Sequence, residues 1–285
     1  GLRLNREVEI LPVEEDGRVN PERALALIDA GAFPAFVAVM AANNETGIIQ
    51  PIKELAAGLR ERMIPFLVDA VQYVGRIPID FHVDYLVLTG HKIGGIKGAG
   101  ALVTRPGLHV MPFVAGGGQE QGRRGGTESM PAIAALGAAM AHTHAHRDEE
   151  SVAVGALRDG FEEQLRGVMP RIQVVGEGVP RLPNTSLVIF PTGVEAEALV
   201  NQLASRGVAA SAGSACHTGS LKPSEVLTAM GIEPDKCFRA VRFSFGATNT
   251  AEEIARLVAE VFSIVTNDVA INGHTRSHAL VLAQN

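Results

Sequence analysis

Short apolar runs closed by polar residues recur along the first half of the chain. Residues 35–40 (AFVAVM) form one such run, followed by Asn43, Asn44 and Glu45 with Gly47 behind them. Residues 65–68 (PFLV) form a second that ends in Asp69, and residues 85–88 (YLVL) a third that ends in Thr89. Between the first two, Leu55 and Leu59 follow Pro51 at helical spacing. Buried-type strands separated by helical stretches predict a mostly parallel sheet with crossover helices, an α/β arrangement. Ligands collect at the carboxyl ends of such strands, so the three polar clusters point toward one site.

The pattern changes further on. Residues 116–126 are a glycine-rich loop, and a long alanine-rich helix starts at Pro131. The charged run 146–150 reads as a solvated helix face, and we place a domain change there. Beyond it, 172–175, 186–190 and 241–245 predict strands, while 195–204, 223–230 and 251–265 predict helices. The expected organisation is a large domain over 1–145, a smaller α+β domain over 146–265, and a tail over 266–285. That tail loses its apolar period and is expected to be poorly ordered or a packing extension.

Composition narrows the function classes. The chain has 285 residues, enough for about two domains, and is 46% hydrophobic. Its net charge of −6 lacks the basic excess of a nucleic-acid binder. Two cysteines exclude a disulfide-dense scaffold, and no Cys/His spacing reads as a zinc site. The apolar stretches are far shorter than the ~20 residues that cross a bilayer, and no secretory signal opens the chain, so a cytoplasmic protein is expected. The chain opens at Gly1 without a Met and moves at once into strand-like alternation at Val8 and Ile10. A missing beginning is therefore expected.

Several residues could carry chemistry. Asp69, at a predicted strand end, either caps the following segment or meets a positive group, and Gln72 could face the same way. Lys92 lies in a Thr89-Gly90-His91-Lys92 turn after the third run. Partial desolvation there would lower its pKa and make its amine available for a Schiff base. A strand-end Asp followed by a strand-end Lys is what pyridoxal phosphate requires: the lysine holds the aldehyde, and the carboxylate keeps the pyridine nitrogen protonated. Cys216 sits among small residues (211–220, SAGSACHTGS) that hold no regular element, which suits a nucleophile that must travel. His217 could lower its pKa or simply be exposed. Cys237, beside Phe238, reads as a packed apolar residue. Arg242, in an apolar strand, needs an anion, either a substrate carboxylate or a structural partner. His142, His144 and His146 alternate on a helix, and a spacing of two does not place them on one face, so no metal site is expected.

Asp69, Gln72, Lys92, Cys216 and Arg242 belong to a series of seven motifs: 43–47 (NNETG), 68–72 (VDAVQ), 90–92 (GHK), 116–120 (GGGQE), 126–128 (GTE), 211–216 (SAGSAC) and 242–246 (RFSFG). In this order they resemble the cysteine desulfurases of the pyridoxal-phosphate-dependent class V aminotransferase superfamily, of fold type I. The resemblance extends to about Val265. It implies that Lys92 binds the cofactor covalently, that Asp69 pairs with the ring nitrogen, and that Asn44 and Gln72 lie beside the ring. It also implies that Thr89 and His91 bind the phosphate, that Thr127 reaches the phosphate of a partner subunit in a homodimer, and that Arg242 holds the substrate carboxylate. Cys216 would receive sulfur from L-cysteine as a persulfide and pass it to acceptor proteins of iron-sulfur or thiolation pathways.

The same resemblance implies an N-terminal segment, carrying a phosphate-binding turn and a ring-stacking histidine, with no counterpart here. A selenocysteine lyase, or an inactive homologue acting as a sulfur-carrying partner, are the alternatives.

Overall fold

The computed structural model describes residues 8–31, 34–213 and 222–281, with side chains as far as 267. The first helix, α1 (Pro21–Ala30), has Asn20 as its N-cap, the Asn20 side chain accepting from Arg23 N, and Pro21 in the first turn. Strand β1 (Val37–Met40), helix α2 (Ile52–Glu61), and strands β2 (Phe66–Asp69), β3 (Tyr85–Thr89) and β4 (Gly100–Thr104) follow. The sheet order is β1-β2-β3-β4; the first three strands are parallel and β4 runs antiparallel to β3.

Period decides which side of this sheet is covered. α2 buries Ile52, Leu55, Ala56 and Leu59, a helical stripe, against alternate strand positions Val37, Phe66, Val68, Leu86 and Leu88. The intervening positions Leu67, Asp69, Tyr85, Val87 and Thr89 are only half-buried.

A short turn, α3 (Gln119–Gly122), with left-handed backbone at Glu120 and Gln121, precedes the 39-residue helix α4 (Met130–Val168). Position 145 lies inside α4, which runs unbroken from one half of the chain to the other. The second sheet comprises β5 (Gln173–Val174), β6 (Thr185–Ile189), β7 (Ser211–Ala212) and β8 (Ala240–Ser244), in the antiparallel order β5-β6-β8-β7. Helices α5 (Ala196–Ser205), α6 (Glu225–Ala229), α7 (Pro234–Cys237) and α8 (Ala251–Val281) complete the chain.

Phe161 and Leu165 of α4 pack with Phe190, Leu199, Phe243, Val261 and Ile264 in the second core. Ile48 leaves the first half to join Leu187, Leu227 and Cys237 in a third cluster. The 43–47 turn is thereby anchored in the second unit.

Several features differ from the sequence expectation, among them the alternation at Val8 and Ile10, which forms no strand. The last helix does not stop at Val265 but continues to Val281, so the backbone of that part of the tail is helical. Ser211 and Ala212, within the small-residue run, form a strand because β8 offers them a pairing edge. α1 and β4 were not anticipated. Among the described residues, no helix is long and apolar enough to cross a membrane.

Candidate active site

Three strand ends converge as the apolar runs imply. Met40 of β1, Asp69 of β2 and Val87 of β3 stand in register, and each strand then leaves the sheet through a polar turn. The turn after β1 is built by Asn43, whose Oδ1 accepts from Glu45 N and Thr46 N, both at 2.9 Å, and from Thr46 Oγ1 at 3.3 Å. Gly47 closes it at φ +74°, and a Cβ there would meet Thr185 Cβ at 2.9 Å, so only glycine fits. These bonds hold Asn44 and Glu45 half-buried at the top of β1.

At the end of β2, Asp69 Oδ1 accepts from Val71 N at 2.9 Å, the capping role that its position allowed. Its Oδ2 has no hydrogen-bond partner among the described residues. The β3 end is a 3-10 turn, Gly90–Lys92, closed by Ile93 N donating to Gly90 O at 3.0 Å. Thr89 Oγ1 lies 2.9 Å from His91 Nδ1 and donates to Ala99 O at 3.2 Å. A hydroxyl has one proton, so while Ala99 receives it, His91 donates from Nδ1. An anion bound by this pair would need one of these donors, the Thr89 hydroxyl or the His91 ring N–H, to be turned toward it. Lys92 is exposed, not desolvated as its strand-end position suggested. Its Nζ has no ion pair among the described residues.

Two arginine-centred connections join these turns to other elements, and only one of the arginines, Arg242, lies in a motif. Arg76 donates from Nη1 to Gln72 O and from Nη2 to Lys92 O, each at 2.9 Å. Ser151 of α4 donates to Arg76 O at 2.6 Å. Arg242 of β8 crosses between the two halves: Nη1 donates to Asn44 O at 2.7 Å and Nη2 to Ser211 Oγ at 3.3 Å. Its Nε is buried without a partner. Glu45 accepts from Ser224 Oγ at 2.6 Å, and its burial pushes the carboxyl above the ordinary value against the opposing pull of Ser224 and Arg242. Sequence separation hid these contacts; only the arginine inside an apolar strand announced itself.

The structure does not gather every expected residue. Thr127 is exposed in the loop before α4, and Cys216 and His217 lie outside the described residues. Cys237 is fully buried, and burial raises its thiol pKa. His142 and His146, one helical turn apart, do share a face: their rings stack at 4.4 Å, and His142 Nε2 lies 3.1 Å from Glu150. Among the described residues no group of three or more such side chains could hold a metal ion.

The strand-end turns that carry Asp69 and Lys92 leave the first sheet beside the Asn44 turn, which Arg242 reaches from the second sheet. The profile of the Aminotransferase class-V family matches residues 2–257. The chain belongs to this family. It is 42% identical over 261 residues to the cysteine desulfurase NifS of Azotobacter vinelandii, covering 90% of this chain and 64% of that protein. To the cysteine desulfurase IscS of Methanosarcina thermophila it is 40% identical, covering 91% of this chain and 64% of that one.

The chain thus spans less than two thirds of the length of these curated relatives. Among solved structures, a NifS-like protein from Rickettsia africae superposes with a TM-score of 0.85 at 30% identity, covering 93% of this chain and 71% of that one. DndA from Streptomyces lividans gives 0.70 at 33%, covering 85% and 68%. The class-V aminotransferase chain therefore has the α/β architecture of fold type I pyridoxal-phosphate enzymes.

Proposed function

We propose that this chain carries the catalytic set of a pyridoxal-phosphate-dependent cysteine desulfurase, which takes sulfur from L-cysteine and leaves L-alanine. One observation carries the reading: the Asp69, Lys92 and Asn44 turns emerge side by side from three parallel strands, and Arg242 reaches the Asn44 turn from the second sheet. The residues fit the cofactor. Among the described residues, Asp69 has an oxygen without a protein donor to pair with a ring nitrogen, Lys92 an amine without an ion-pair partner, and Arg242 a buried Nε without an acceptor. Asn44 and Gln72 would flank the ring, and Thr89 and His91 would hold the phosphate once one of their donors is turned toward it.

When bound, pyridoxal phosphate supplies the electron sink that lets the substrate Cα–H bond break. The protein residues do the rest. Lys92 would hold the cofactor, and its Nζ would receive the Cα proton when the substrate is in place. Arg242 orients the substrate carboxylate through donors that now serve Asn44 O and Ser211 Oγ. The Cys216 thiolate attacks the substrate sulfur; an S–S bond forms, the Cβ–S bond breaks, and alanine leaves after protonation. The persulfide on Cys216 would then pass to sulfur-acceptor or scaffold proteins of iron-sulfur assembly.

On this reading residues 1–145 form the large cofactor domain, 146–265 the small domain and 266–285 a tail. Thr127 would reach the phosphate bound by a second copy, making the working unit a cytoplasmic homodimer.

The test is direct. Purified chain mixed with pyridoxal phosphate should develop a visible absorption band that Lys92→Ala abolishes, and L-cysteine should then yield alanine. Cys216→Ala should keep the band and lose alanine formation. No band and no alanine from the unaltered chain would overturn the assignment, and undiminished turnover in Cys216→Ala would overturn the persulfide step.

A further inference from the structure

Arg76 belongs to none of the motifs, yet its guanidinium touches the backbone of two residues that matter. It lies between the turn after β2 and the turn after β3, donating to Gln72 O and Lys92 O at 2.9 Å each. The side chain is half-buried, and the loss of water around it pulls the guanidinium pKa below its ordinary value. Among the described residues it makes no ion pair with a carboxylate. A half-buried cation facing only carbonyls gains most where its donors satisfy acceptors that no other group reaches.

Both carbonyls fit that description. Lys92 ends the 3-10 turn, where the chain turns away and no regular ladder follows. Gln72 lies in the irregular connection between β2 and β3, which contains no helix or strand. The planar guanidinium presents two nitrogens at a fixed separation, so one side chain sets the distance between two backbone turns.

The other end of Arg76 is fixed as well. Ser151 Oγ, from the middle of α4, donates to Arg76 O at 2.6 Å. The same helix lies against this region elsewhere: a Cβ on Gly75 would meet Thr143, and one on Gly90 would meet Leu136 at 3.4 Å. Thr143 and Leu136 lie on α4 with Ser151, so the helix forms the wall against which both turns rest.

We propose that Arg76 is a positioning residue, clamping the Lys92 turn to the Asp69–Gln72 turn so that the lysine amine and the Asp69 carboxylate stand at the separation a single ring requires. The catalytic interpretation rests on the pyridoxal-phosphate reading above, while the clamp itself can be tested without the cofactor. A lysine at this position keeps the charge but gathers its donors on one nitrogen, which cannot reproduce two separated bonds.

The test uses the full chain and two variants, Arg76→Met and Arg76→Lys. In the cofactor-free protein, amide hydrogen exchange over residues 90–93 should be faster in both variants, while α8 and the second sheet stay as protected as in the unaltered chain. Pyridoxal phosphate affinity, followed by the visible band, should weaken about tenfold or more in Arg76→Met, as loss of charge-assisted bonds implies. Arg76→Lys should fall between the two with an unchanged melting temperature.

Unaltered exchange over 90–93 in Arg76→Lys overturns the clamp, whatever Arg76→Met does. Faster exchange with unchanged affinity for the cofactor in a folded variant overturns the positioning role. If the unaltered chain binds no pyridoxal phosphate while exchange over 90–93 still depends on Arg76, the clamp stands and the cofactor reading fails.

Discussion

At Glu45, opposing effects act on one carboxyl group. Burial raises its pKa, whereas the Ser224 hydroxyl and the positive charge of Arg242 lower it; burial prevails. Arg242 faces it from β8, Ser224 and Glu225 from α6, and Cys237 from α7, with Glu225 adding to the upward push and the Glu45 charge in turn raising Cys237. A carboxyl raised in the folded state binds its proton more tightly there than in the unfolded chain. Stability attributable to the protonated group is then fully present below the ordinary value of 4.5 and declines as pH rises from there through the raised one.

Unfolding free energies measured in urea across that range should show the unaltered chain losing stability relative to Glu45→Gln as pH increases. A constant difference would show that Glu45 does not titrate abnormally. Nothing near Glu45 in sequence reveals this coupling, since Ser224 lies 179 positions away.

The elements that carry the site are joined by a few polar contacts whose loss has separable consequences. Arg181 and Glu162 form a two-bond pair at 2.8 and 2.9 Å, with both side chains only 8% exposed. Glu162 belongs to α4, while Arg181 forms a bridge with Ile48 and Leu182 N donates to Gly47 O at 2.8 Å. The pair therefore ties the long helix to the turn that presents Asn44. Glu162→Ala strands a buried guanidinium and should cost about 3–5 kcal/mol in unfolding experiments. Replacing both residues by apolar ones of similar size should recover much of that loss; equal loss in single and double variants would show that packing, not the unpaired charge, is responsible.

Ser224 has a smaller reach. Its hydroxyl caps α6 by accepting from Leu227 N at 3.2 Å and also donates to Glu45, so Ser224→Ala should destabilise the chain by about 1–2 kcal/mol. Thermal melts should register it as a modest fall.

At this scale the sequence was most legible where burial and period coincide. β1, β2 and β3 appear as apolar runs with polar ends because their buried faces demand it and their ends hold the site. α1 escaped notice although Asn20-Pro21-Glu22 is a capped start, because its apolar stripe is short and only Ala24 is fully buried, with Leu25 and Ile28 partly so. β4 escaped because glycine opens it and its residues stay largely exposed. Arg76 looked like any solvated arginine: its partners are backbone carbonyls, and carbonyls leave no trace in a sequence.

Across the whole molecule, α4 links two sheets whose surroundings differ. The second sheet lies beneath α4, α5 and α8, and every residue of β6 is buried. The first sheet buries its α2 side more deeply than its other face, and its far edge is β4, which pairs among the described residues with β3 alone. Leu102 is 46% and Val103 52% exposed on that strand, and alternation puts them on opposite faces. An edge with unpaired amides and carbonyls, flanked by apolar side chains, is a template for pairing with another copy. A net charge of −6 spread over 285 residues opposes such contact only weakly at physiological salt.

The chain at high concentration should therefore scatter light increasingly with time. The double variant Leu102→Lys, Val103→Lys should scatter much less at an unchanged melting temperature, because charges on an edge strand block pairing while removing little burial. If both proteins scatter equally, association runs through another surface. In that case the exposed Met111 and Phe113, in the loop after β4, become the next positions to charge.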